Sequence, residues 1–127
     1  MEFCLQNIFK TKLFHYYPNK KTVGQVQFID GITEQYNMNN VSKKNNIVYC
    51  VFSFVSKSEI SGEQFIAKIP TDYKPSYGSG FFTNLRDTYG RDLGQAWISV
   101  SGDIFYYNGN TSLPIGTVVY ANCCYMV

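Results

Sequence analysis

The stretch Ile47 to Val55, with the sequence IVYCVFSFV, limits the possible folds of this chain more than any other segment. Successive side chains of a β-strand point to opposite faces. Residues 47, 49, 51 and 55 make one face of this stretch apolar, and residues 48, 50, 52 and 54 do the same for the other. A strand of this kind must be covered on both sides. It therefore predicts a layered fold and favours an oligomer.

Further strand signals follow along the chain. Asp30-Gly31 is typical of a tight hairpin turn between two alternating segments, and Ser101-Gly102 is expected to join the strands 95–100 and 103–107. Pro70 ends a strand, because proline cannot donate to a ladder. About eight short strands separated by turns predict an all-β, antiparallel β-sandwich or jelly roll. The first twenty residues fit a short helix or a strand equally well.

Length and composition set the limits on organisation and partners. The 127 residues suit one structural unit, with an N-terminal segment 1–44 that carries a hairpin and a β-sandwich domain 45–127. A net charge of +2 is too small to indicate a nucleic-acid binder. The opening residues show no long apolar run, so we expect neither a secretion leader nor membrane insertion.

The four cysteines do not have the spacing of a metal site. Cys4, Cys50, Cys123 and Cys124 lack the paired C-x-x-C pattern of zinc ligands. Without an export signal they are interpreted as reduced packing residues. We expect no metal and no cofactor.

Residues suited to catalysis are few. His15 is the single histidine, so a nucleophile–histidine device would have to be assembled around it. Asp87 and Asp92 could serve as the two carboxylates of a glycosidase. They alternate with Arg86 and Arg91, and a loop of this composition is more often internally salt-bridged. The sequence predicts a protein that is not an enzyme.

The second half of the chain, residues 45–127, shows an ordered pattern of segments. A long apolar strand leads to a strand that ends in an apolar-Pro-x-x-aromatic-x-Pro signature, here Ile69 to Pro75 (IPTDYKP). A variable loop, the hairpin AWISVSGDIFYY and a closing strand VVYANCCYMV follow. In this order the segments resemble the C-terminal head domains of bacteriophage tail fibres and related receptor-binding proteins.

The resemblance implies a homotrimeric β-sandwich head that binds a host-surface polysaccharide. It also implies a virion protein, assembled in the bacterial cytoplasm, with other tail or fibre proteins as partners. An excised domain, a separately encoded tip and another virion protein with the same head fold remain open, since no repetitive shaft precedes residue 45. A structural or assembly protein of the virion is the alternative function, and a polysaccharide depolymerase is a weaker one.

The binding site is predicted chiefly on the loops 73–80 and 84–92, because loops vary while a rigid sheet positions them. Tyrosine and arginine there combine ring faces with forked hydrogen-bond donors, which suit a weakly charged polysaccharide. Trp97, in an alternating strand, is either a core or interface aromatic or a binding residue. Of Tyr106 and Tyr107 one should be buried and the other exposed, and the exposed one could form a stacking platform for a sugar ring. The candidate ligand-binding residues are Tyr73, Tyr77, Arg86, Tyr89, Arg91, Trp97 and Tyr107.

Overall fold

The computed structural model describes residues 22–76, 78 and 80–127, and these form one antiparallel sheet of nine strands in the order β1-β3-β4-β9-β6-β7-β8-β5-β2. This confirms the prediction of an all-β, antiparallel fold. A short 3₁₀ helix, Thr71–Tyr73, follows β5. The strands are β1 (Thr22–Gly24), β2 (Gln27–Phe28), β3 (Thr33–Lys44), β4 (Ile47–Ser56), β5 (Ile60–Lys68), β6 (Phe81–Arg86), β7 (Asp92–Ile98), β8 (Asp103–Leu113) and β9 (Val118–Met126).

The sheet curls so that its two ends approach each other around a common core. Near the β2 end, the backbone N–H of Val26 donates to Asn39 Oδ1 of β3 at 2.7 Å. The hydroxyl of Thr33 on β3 donates to the carbonyl oxygen of Ile66 on β5. Curling gives the sheet an inner face, which is the core, and an outer face, which is turned away from it.

Strand β4 follows the alternation predicted from its sequence. The side chains of Val48, Cys50, Phe52 and Phe54 are fully buried on the inner face. On the outer face Tyr49, Val51 and Val55 are half-buried. The apolar outer residues are thus in partial contact with water in a single chain.

The predicted hairpin at Asp30-Gly31 is wrong in its pairing. A turn is present there, with Gly31 at a φ of 79°. However, β2 pairs with β5, while β3 pairs with β1 and β4. The tight turn that joins β3 to its partner β4 is Asn45-Asn46, whose φ values of 53° and 67° suit a two-residue hairpin loop. Asparagine tolerates this left-handed backbone better than most residues.

The hairpin at Ser101-Gly102 was predicted from the sequence, whereas strand β6 was not. The hairpin at Ser101-Gly102 is confirmed, since β7 pairs with β8 across it from Ile98↔Ile104. Strand β6 was not predicted, and part of the expected loop 84–92 belongs to it. Arg86 is therefore held by a strand and not by a loop.

The cysteines fall into two groups. Cys50 and Cys123 are free, buried and opposite each other across β4 and β9. Their mutual hydrogen bond, together with burial, raises the pKa of the Cys50 thiol. The expectation of four reduced cysteines is wrong for Cys124, which is disulfide-bonded. Adjacent strand residues face opposite ways, so only Cys123 can share the inner face with Cys50. Cys4 lies outside the described residues.

The phenol of Tyr125 joins the end of β9 to the 3₁₀ helix. Its hydroxyl donates to the carbonyl oxygen of Tyr73 at 2.7 Å, and both residues are buried. Burial raises the pKa of Tyr125 far above its usual value. The raised pKa favours the neutral phenol, which is the form that donates this hydrogen bond.

Replacing Tyr125 by Phe should lower the free energy of unfolding by about 1–3 kcal/mol, because the buried Tyr73 carbonyl loses its side-chain donor. Urea denaturation followed by fluorescence measures this difference. Tyr89→Phe is the control, since the Tyr89 side chain is 83% exposed and its variant should unfold at the wild-type midpoint. Equal midpoints for the two variants would show that the Tyr125 hydrogen bond contributes nothing.

Candidate functional site

A groove opens on the outer face between β6 and β9. The two strands pair only at Leu85↔Ala121 and Arg86↔Tyr120, so they diverge toward the start of β6. The space between them has a volume of about 550 Å³. Its lining residues are Phe81, Phe82, Thr83, Asn84, Arg86, Gln95, Tyr120, Ala121 and Asn122.

Polar side chains from three strands converge on this groove. Asn84 lies on β6, Gln95 on β7 and Asn122 on β9, and all three are exposed. Gln95 Nε2 donates to Asn84 Oδ1 across the strands at 3.4 Å. Each amide offers both donors and acceptors, and the Arg86 guanidinium adds a planar fork of donors. The groove thus has the chemistry to bind a ligand rich in hydroxyl groups, and the Arg86 guanidinium can pair with an acidic group.

Aromatic rings border the groove on both sides. Phe82 is 48% exposed and stacks on Trp97, with ring centroids 6.2 Å apart. Tyr107 packs its ring against Phe82 edge to face at 5.9 Å. On the opposite side, Tyr36 of β3 contacts Tyr120 at 6.3 Å. A few placed polar groups beside aromatic surface are typical of small-molecule binding sites.

The loop 87–91 is held together by its own residues. Asp87 accepts hydrogen bonds from the backbone N–H groups of Tyr89 at 2.8 Å and Arg91 at 2.9 Å, and Arg91 Nε lies 2.6 Å from its second oxygen. Desolvation opposes ionisation, but these donors outweigh it and hold the pKa of Asp87 below its usual value. The Arg91 guanidinium also lies 5.3 Å from the Tyr89 ring centre. This loop is built as a salt-bridged turn.

The second carboxylate of the pair considered for glycosidase chemistry is also engaged. Asp92 Oδ1 accepts the backbone N–H of Gly94 at 3.0 Å. Each of the two carboxylates therefore has a backbone partner that fixes its own turn.

The predicted site residues are distributed over several parts of the molecule. Arg86, Trp97 and Tyr107 belong to the outer face beside the groove. Tyr89 and Arg91 lie on the salt-bridged loop. Tyr73 is 5% exposed and packs in the core, so the site is built without it. Tyr77, like His15 and the ambiguous first twenty residues, lies outside the described residues.

Among the groove residues the sequence analysis named Arg86, and its loop 84–92 included Asn84 without naming it. Phe82, Gln95 and Asn122 were missed. The segment FFTNLR does alternate, with Phe82, Asn84 and Arg86 on one face. Its polar residues made it look like a loop. The contribution of β9 could not be found from spacing, because it depends on which strands are neighbours.

The described residues form neither a metal-ligand cluster nor a membrane-spanning helix. Within residues 22–76, 78 and 80–127, no cluster of three or more His, Cys, Asp or Glu side chains is placed to hold a metal ion. The same part of the chain includes no helix with the length and apolar character needed to span a membrane.

Comparison with known proteins shows the fold. No family model matches the sequence, and no curated protein matches it. Among solved structures, the receptor binding protein (gp15) of Listeria phage PSA is similar, with a TM-score of 0.61 and 14% sequence identity. The similarity covers 98% of this chain and 75% of that one. The chain therefore shares the architecture of a phage receptor-binding protein.

Proposed function

We propose that this chain is the host-recognition domain of a bacteriophage tail, and that it binds a host-surface polysaccharide in the groove between β6 and β9. The observation that carries the proposal is the convergence of three amides and one guanidinium beside an exposed phenylalanine ring. Aromatic rings pack against the apolar face of a sugar, while amides and guanidinium groups bond its hydroxyl or acidic substituents. The fold shared with a phage receptor binding protein also supports a host-recognition role.

The chemistry of the groove favours binding over hydrolysis. The lining residues include no carboxylate. Asp87 and Asp92, the nearest candidates along the sequence, are occupied by backbone N–H groups of their own turns. A glycosidase needs two carboxylates that flank the scissile bond. The proposed role is therefore adhesion.

The proposal includes a homotrimer at the virion tip. The outer face of β4 presents half-buried Tyr49, Val51 and Val55, which gives a second subunit an apolar surface to cover. Three copies of one weak sugar site would act together through avidity. Light scattering should return three times the 14.5 kDa of one chain.

The test of recognition uses fluorescently labelled protein and a panel of bacterial strains. We expect the protein to label some strains, and soluble wall polysaccharide from a labelled strain to compete. Periodate treatment of those cells, which cleaves sugar diols, should abolish labelling, whereas protease treatment should leave it. Labelling that survives periodate and is lost after protease would contradict a polysaccharide receptor.

A further inference from the structure

We propose, resting on the function above, that the site extends from the groove across four strands and holds an internal stretch of a linear glycan chain. The feature behind this proposal is a line of rings on the outer face. Strand register pairs Phe82 with Trp97, Trp97 with Phe105, and Phe105 with Phe65. These four residues are named the aromatic row.

The rings of the aromatic row are in contact from end to end. Centroids are 6.2 Å apart for Phe82 and Trp97, 5.5 Å for Trp97 and Phe105, and 5.7 Å for Phe105 and Phe65. The first two pairs are stacked, with ring planes only 16° and 29° apart. Since neighbouring strands are about 4.8 Å apart, the row forms a continuous ridge perpendicular to the strands.

A line of polar side chains runs beside the aromatic row. Asn84, Gln95, Tyr107 and Glu63 are consecutive register partners across the same four strands. All four are exposed. On each strand the polar residue is two positions from its aromatic neighbour, a separation of about 6.7 Å on the same face.

The aromatic row and the polar line together are suited to binding a linear sugar polymer, and this combined surface is named the track. The row offers a continuous, partly exposed apolar surface for successive sugar rings, and the polar line offers acceptors and donors for their hydroxyl groups. The track is continuous with the groove, because Phe82 belongs to the row and Asn84 and Gln95 to the polar line, while all three line the groove. A chain lying there would cross β6, β7, β8 and β5, which requires a polymer segment and not a single terminal sugar.

The test is the dependence of affinity on chain length. The probe is the wall polysaccharide of a labelled strain, cut by mild acid into disaccharide, tetrasaccharide and hexasaccharide fractions and titrated by calorimetry. The hexasaccharide should bind at least about tenfold tighter than the disaccharide, since further sugar rings reach further aromatic side chains of the row. Phe105→Ala should remove that gain and leave disaccharide affinity unchanged.

Three variants keep the result interpretable. Phe105→Tyr retains the ring and should retain the length dependence, and Ile115→Ala, which removes a 69% exposed apolar side chain from the β8–β9 turn, should behave as wild type. Phe65→Ala, at the far end of the row, replaces Phe105→Ala if the latter lowers the melting temperature.

The outcomes separate this inference from the proposed function. Equal affinity for all fractions, or a gain that survives loss of Phe105 or Phe65, overturns the track while groove binding stands. A fall in molecular mass on replacing Phe105 would show that a second copy of the chain covers the row, which also overturns it. Failure of every fraction to bind would overturn the proposed function itself.

Discussion

Replacing Arg86 by Ala is expected to weaken binding to a labelled strain by about 10- to 100-fold, whereas replacing Arg91 by Ala should weaken it far less. A hydrogen bond to a charged group contributes roughly 1.5–3 kcal/mol, and each 1.4 kcal/mol corresponds to about a tenfold change in affinity. Arg86 lines the groove. Arg91 instead pairs with Asp87 at 2.6 Å.

The two arginines form a matched pair, because they lie five residues apart and both are exposed. Arg86 takes part in neither the Lys57–Glu34 nor the Arg91–Asp87 ion pair. The melting temperature of Arg86→Ala should therefore stay near the wild-type value. Flow cytometry with a concentration series gives the affinities. Equal losses of affinity for the two variants would indicate that the binding surface includes the 87–91 loop.

Replacing Phe52 by Asp should unfold the protein, at a cost above about 5 kcal/mol. Phe52 is fully buried between Phe28 and Phe54. Loss of a buried aromatic side chain costs about 3–5 kcal/mol, and the substituted carboxyl adds the penalty of an unpaired buried polar group. The sum is comparable with the whole stability of a domain of this size. Circular dichroism should show loss of the β signal.

Val51→Asp provides the comparison on the same strand. Val51 lies on the outer face and is half-buried, so its carboxylate can reach water and the single chain should keep its fold. In the proposed trimer the same charge would be placed against another subunit. Light scattering should then return the 14.5 kDa of one chain for the variant. A variant that remains trimeric would show that the outer face of β4 is not the interface.

Which side chains of a strand point into the core could be predicted from the sequence, and the prediction was correct for strands with a clear alternating pattern. Phe52 and Phe54 of β4 point into the core as expected. Tyr106 is fully buried and Tyr107 is 48% exposed, which confirms that one of these neighbours is buried and the other exposed. These predictions need only the two-residue period of a strand and no knowledge of its neighbours.

Pairing over long distances could not be predicted. β2 pairs with β5, and β9 lies between β4 and β6, although the segments on either side of Asp30-Gly31 looked like partners. The groove depends on this order, because Asn84 and Asn122 meet only when β6 and β9 are neighbours. Short polar strands such as β6 also give weak signals, since their stability comes from neighbours and not from propensity.

The most direct test of the central claim is nuclear magnetic resonance of nitrogen-labelled protein titrated with the hexasaccharide fraction. The side-chain amides of Asn84, Gln95 and Asn122 and the Arg86 Nε–H lie in the groove, so their signals should shift together and saturate at one concentration. The side-chain amide of Asn39 donates to the Val26 carbonyl at 2.8 Å near the sheet edge, and its signal should not shift. Shifts confined to the 87–91 loop, with the groove signals unmoved, would contradict the claim.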